Sequence, residues 1–166
     1  MKKGIAAVMT TAIGAIAGAG VAYREQNKKL KKWQDLSYKD DAILKIFTQW
    51  LKMKQRGKSL ADYFEKNNYK TIAIYGMHYL GECLVEELKG TDIKIAYAID
   101  RNADNIGMYI NDEGQSLNII KPEETLPAAD VIVVTAFYFF DEIEEMLSGK
   151  TDCPILSLED IIYEME

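Results

Sequence analysis

One histidine and two cysteines among 166 residues leave little for metal chemistry. Cys83 and Cys153 match no metal-ligand spacing, and His78 alone cannot assemble a histidine-based site, so no metal is expected. Both cysteines lie in or beside apolar segments and read as small core residues, and nothing in their number calls for an oxidising compartment. Basic charge is scarce where nucleic acid would need it. Residues 59–166 carry seven Lys/Arg against twenty-two Asp/Glu, a surface that repels a phosphate backbone. A Tyr-x-x-x-Lys spacing is missing throughout, so no tyrosinate base lowered by a neighbouring lysine is available, and no catalytic residue is assigned.

What is present suffices for one ordinary domain and a little more. Hydrophobic residues make up 48% and charged residues 28%, which excludes a disordered or fibrous chain. The basic residues concentrate at the start, with thirteen Lys/Arg against four Asp/Glu in residues 1–58. They flank an uncharged run, Gly4 to Tyr23, that as a helix would span about 30 Å, the thickness of a hydrocarbon core. Eleven of its 20 residues are Ala or Gly, so the drive for insertion is weak.

Three readings of the run compete. Its Lys-rich start and the small residues near Gly20-Val-Ala22 fit a cleaved signal peptide. Its length and the following Arg24, Lys28, Lys29, Lys31 and Lys32 fit a retained anchor with the globular part on the cytoplasmic side. A stripe of small residues every fourth position, Ala6, Thr10, Gly14, Gly18 and Ala22, fits a helix that pairs with a copy of itself. The anchor is the preferred expectation.

Asp40 to Lys54 reads as a helix whose apolar face is Ile43, Leu44, Phe47, Trp50 and Leu51. That face either packs on the neighbouring domain or lies on anionic lipid. Gly57 stops the helix, and Ser59 with Asp62 forms a capping box that opens the next, Leu60 to Lys66. The expected organisation is an anchor helix (1–23), a basic linker with an amphipathic helix (24–58), and an α/β domain (59–166).

From Lys70 strand and helix patterns alternate. Strands are expected at Thr71–Tyr75, Ile93–Ile99, Ser116–Ile120, Asp130–Thr135 and Pro154–Leu158. Helices are expected after Gly76, with Leu80, Leu84, Val85 and Leu88 inward, from about Phe139 to Ser148, and from Glu159 to Met165. Right-handed crossovers then give five parallel strands in the order 3-2-1-4-5, a Rossmann-like half-sheet.

The candidate site is the loop Gly76-Met77-His78-Tyr79-Leu80-Gly81, between the first strand and its helix. A dinucleotide fingerprint there needs a glycine for the tight turn, one for backbone approach to the pyrophosphate, and one for helix–strand packing. Gly76 and Gly81 supply the first and third, and His78 stands in the second place. Its imidazole either donates to a phosphate or marks a loop that no longer binds one. Asp100, ending the second strand, either accepts ribose hydroxyls or starts the turn Asp100-Arg101-Asn102. Phe137, in the cluster Phe137-Tyr-Phe-Phe140 after the fourth strand, either stacks on a base or packs as core.

The stretch from Thr71-Ile-Ala-Ile-Tyr-Gly76 to Ala98-Ile-Asp-Arg-Asn102, with Ala136-Phe137, resembles the Rossmann-like nucleotide-binding domains of bacterial polysaccharide enzymes. These are the nucleoside-diphosphate-sugar epimerase-like domains. They include the C-terminal domain of sugar C-methyltransferases and the N-terminal domains of membrane sugar-nucleotide dehydratases and sugar acetyltransferases. The resemblance covers about residues 59–166 and implies NAD(P) or a nucleotide-sugar as ligand. The leading expectation is a membrane-tethered binding or scaffold module in cell-surface polysaccharide assembly, non-catalytic alone. The alternatives are a small oxidoreductase or epimerase completed by a partner subunit, and a structural oligomer with an inactive pocket.

Overall fold

Thr71–Tyr75 (β1) is an apolar run with a β-branched residue at every second position or better, the composition of a strand buried on both faces. A computed structural model of the chain describes residues 2–106, 108–110 and 116–165, with side chains from residue 23 onward apart from residue 110. In it β1 lies at the centre of a sheet. Lys94–Ile99 (β2) and Val131–Val134 (β5) flank it, both parallel to it. Ser116–Ile120 (β4) and Ile155–Ser157 (β6) add the next strands outward, also parallel. Met108–Ile110 (β3) closes one edge, antiparallel to β4.

The sheet among the described residues therefore has six strands in the order β3-β4-β2-β1-β5-β6, and it is mixed. This corrects the expected five-strand, all-parallel sheet of order 3-2-1-4-5. The addition is three residues long and sits at an edge, where pairing on one side only leaves a weak sequence pattern.

The helices of this unit are Leu60–Lys66 (α2), Tyr79–Glu87 (α3), Ala103–Ile106 (α4), Phe140–Ser148 (α5) and Leu158–Glu164 (α6). Ser59 accepts the Ala61 amide at 3.1 Å while Asp62 accepts the Ser59 amide at 2.7 Å, so α2 opens on the capping box its sequence announces. Ile143 and Leu147 of α5 pack with Ala73, Tyr75, Tyr97, Ile99, Ile120, Ile132 and Val134 on one sheet face. The alternate residues Ile72, Ile74, Ala98, Val131 and Val133 point the other way and are buried too, so the sheet is covered on both sides.

By contacts the chain divides into two units, Met1–Lys45 and Ile46–Glu166. The first consists of one helix, α1, which runs from Lys2 to Gln55 and so ends inside the second unit. In the first unit Glu25–Lys28 and Asp41–Lys45 form ion pairs of 3.2 and 2.7 Å along the helix. The backbone of the run Gly4 to Tyr23 is helical. The side chains that would make it an anchor, or make Ala6, Thr10, Gly14, Gly18 and Ala22 a pairing face, lie outside the described residues. Among the described residues no helix is long and apolar enough to cross a membrane.

Within the second unit α1 buries Ile46, Trp50 and Met53. The expected face of Ile43, Leu44, Phe47, Trp50 and Leu51 is turned from this stripe: Leu44 and Leu51 are exposed and Phe47 is half-buried. Two apolar stripes share Trp50, and periodicity alone cannot say which of them turns inward.

Candidate functional site

The carboxyl end of β1 is bound to its neighbours by polar groups that the sheet leaves over. Gly76 follows Tyr75 with φ +98°, a left-handed turn that side chains resist, and its amide donates to the Ile99 carbonyl at 2.8 Å. Thr135, buried at the end of β5, donates its amide to the Tyr75 carbonyl at 2.9 Å. Its hydroxyl stands 2.7 Å from the Gly76 carbonyl and 3.1 Å from that of Tyr75. A methyl group on Gly76 would meet that hydroxyl oxygen at 2.8 Å.

Asp100 ties the turn to β2. One carboxylate oxygen accepts the Met77 amide at 2.8 Å, and the other accepts the Asn102 amide at 2.8 Å. The Met77 side chain is buried beneath the loop. His78 is the N-cap residue of α3 and has ordinary extended backbone, φ −119° and ψ −165°, so the loop demands no glycine there. Its ring makes no capping hydrogen bond and lies edge-on to Tyr79 at 4.0 Å, exposed to solvent.

Gly81, in the first turn of α3, sits against Gly76. A Cβ at Gly81 would stand 2.2 Å from the Gly76 carbonyl oxygen, an impossible contact. Helix and strand thus approach as closely as backbone allows, and the first-turn amides of α3, which have no intrahelical acceptors, open beside the turn.

For Asp100 and Phe137 the sequence left a binding and a structural role open. Asp100 spends both oxygens on backbone amides, so it is first a fastener of the loop. Phe137 begins a short 3-10 turn, Phe137–Phe139, and is buried with its ring 4.1 Å from Tyr138, which makes it core rather than a displayed stacking surface. Arg101 is exposed at the same end of the sheet.

Sequence reading missed Tyr75 and Thr135. Tyr75 is buried, with the Arg101 guanidinium near its hydroxyl. Burial pushes its pKa up, against the pull of the neighbouring Arg101 guanidinium. The available signal was a polar residue closing each of two apolar runs.

Two clefts lie elsewhere among the described residues. One of about 680 Å³ is lined by Phe47, Trp50, Leu51 and Cys83 with a rim of Glu82 and Glu86. Another, of about 530 Å³, lies around Gly90, Thr91, Ile93 and Lys94. Cys83 and Cys153 are half-buried, and Cys153 packs against the core as expected. The Cys83 thiol is held above its usual pKa by burial and then by Glu82 and Glu86, which keeps it a poor nucleophile. No group of three His, Cys, Asp or Glu able to hold a metal ion occurs among the described residues.

No family model, curated protein or solved structure matches this chain. The chain is an α/β protein whose functional reading is carried by the geometry of one loop.

Proposed function

We propose that the α/β unit binds a ribose-containing diphosphate, NAD(P) or a nucleotide-sugar, at the carboxyl ends of β1 and β2. On this reading the chain is a non-catalytic binding or scaffold module for cell-surface polysaccharide assembly. Its first helix tethers it to the cytoplasmic face of a membrane. The observation that carries the reading is the backbone contact of Gly81 with Gly76, which sets the amino end of α3 flush against the end of β1. A phosphate cradle in a Rossmann-like sheet needs that arrangement. The exposed His78 and Arg101 supply donors at the rim of this site. The tether draws on the uncharged run Gly4 to Tyr23 and the basic residues that follow it.

Isothermal calorimetry of the full chain against NAD(P) and a panel of nucleoside-diphosphate sugars tests the proposal. Binding between millimolar and micromolar is expected, roughly 4–8 kcal/mol. Absence of heat with every nucleotide would leave the second reading, a structural module with a closed loop. The engagement of both Asp100 oxygens by backbone amides favours that alternative.

A further inference from the structure

Among the described residues, most of the large apolar side chains that α1 exposes fall on a single seven-residue repeat. Tyr23, Leu30, Leu44 and Leu51 stand at one position of the heptad, with Ser37 completing the series. Gln26, Trp33, Asp40 and Phe47 stand three residues on, the a and d positions of a coiled coil. Tyr23 is 66% exposed, Leu30 58%, Trp33 69%, Leu44 65% and Leu51 58%. All belong to one helix, Lys2–Gln55, and within the first unit, from residue 23 to residue 44, the repeat extends over about 32 Å. In sequence the same spacing reaches back to Met9 and Ile16.

Apart from Asp40, charge is kept off this seam. Arg24, Glu25, Lys28, Lys31, Lys32, Asp35, Lys39 and Lys45 all take the outer positions b, c and f. The flanking e and g positions hold Asn27, Gln34, Leu36 and Ile43, with only Lys29 and Asp41 charged, and Asp41 is already paired with Lys45 at 2.7 Å. A coiled coil that selects a different chain uses charged e and g residues to do so. Here those positions are almost neutral, so two identical seams meet with Asp40 as the one charge within them.

We propose that two copies of this chain associate through this seam of α1, with Leu30, Trp33 and Leu44 as the central contacts. Each aromatic ring brings about 150–250 Å² to such a contact. With the leucines of both helices the buried area is on the order of 1,000 Å², the lower bound for a specific interface. Ser37 and Asp40 interrupt the apolar series and limit the helices to the register in which these polar residues avoid leucine. The proposal is independent of what the Gly76 loop binds, and it differs from pairing through the small residues before Tyr23.

Sedimentation equilibrium of the full chain, with the same detergent in every run, tests it. The parent is expected to be a dimer at micromolar concentration. Leu30→Glu with Trp33→Glu should weaken association at least tenfold, while Lys32→Glu on the outer face should leave it unchanged. The Trp33 fluorescence of the parent should shift to the blue as concentration rises, and Trp33→Phe should abolish that shift. The seam residues are exposed, and an unchanged melting curve for the α/β unit will show that the variants are folded. A monomeric parent, or a Leu30→Glu/Trp33→Glu variant that dimerises as the parent does, overturns the proposal.

Discussion

The carboxylate of Asp100 accepts the amide of Met77 at 2.8 Å, a bond between the end of β2 and the turn that leaves β1. A second bond from the Asn102 amide leaves Asp100 holding two loops at once. Hydrogen bonds to an ionised acceptor are worth about 1.5–3 kcal/mol, so Asp100→Ala should lower unfolding stability by roughly that amount. Asp100→Asn, which keeps one carbonyl oxygen, should lose less. Urea denaturation measures both, and an Asp100→Ala variant as stable as the parent would show the fastening to be idle.

Among the described glycines, Gly81 should be the least replaceable. Its missing Cβ leaves room for the Gly76 carbonyl, and the atom in the way is backbone, which cannot rotate aside. Gly81→Ala should cost about 1–3 kcal/mol as helix and strand are forced apart. Gly149 provides the contrast. It faces open space with φ −82°, so Gly149→Ala should be neutral or raise stability by about 0.4–1 kcal/mol. Equal melting temperatures for the two variants would refute the packing argument.

Alkaline unfolding should report on Tyr97. Its hydroxyl donates to the Pro127 carbonyl at 2.9 Å, and burial, with Cys153 behind it, pushes its pKa up to about 12. The unfolded phenol titrates near 10. The folded state therefore holds its proton more tightly, and this stabilisation is fully present below pH 10 and lost as pH rises through 12. Its size is on the order of 2–3 kcal/mol. Tyr97→Phe should flatten the stability profile between pH 10 and 12, at a cost near neutral pH of about 0.5–1.5 kcal/mol for the lost hydrogen bond. A profile identical to the parent's would remove Tyr97 from the alkaline transition.

The tether makes a cellular prediction. The full chain should sediment with membranes and resist carbonate extraction, and residues 24–166 should remain in the supernatant. Recovery of the full chain in the supernatant, or a mature form beginning near Tyr23, would end the anchor reading.

What could be read in the sequence followed from local chemistry. The capping pair Ser59 and Asp62, and the inward set Leu80, Leu84, Val85 and Leu88, are fixed by contacts within one turn or one face, and the structure has them so. Gly76 and Gly81 declared a tight turn and a close packing, and both are there. β3 did not announce itself, because three residues on an edge carry no periodicity. The inward stripe of α1 escaped because Ile46 and Met53 compete with Phe47 and Leu51 around the shared Trp50. At Asp100 the sequence offered the turn to Asn102, which is local, whereas the amide of Met77 is a partner that only the fold brings to it.

His78 decides between a working and an idle loop. Its backbone is extended and its ring is exposed, so glycine at this position would relieve no strain and empty no buried space. If the imidazole serves a phosphate, as we propose, His78→Gly removes a donor at the mouth of α3. Binding of the best nucleotide found by calorimetry should then weaken about tenfold, the loss of roughly 1.4 kcal/mol expected for one hydrogen bond to an anion. Stability in the absence of nucleotide should change by no more than a few tenths of a kcal/mol, since the side chain caps nothing. The opposite outcome is informative as well. Tighter binding by His78→Gly would mean that the ring obstructs the pyrophosphate, and the role assigned to it here would fall.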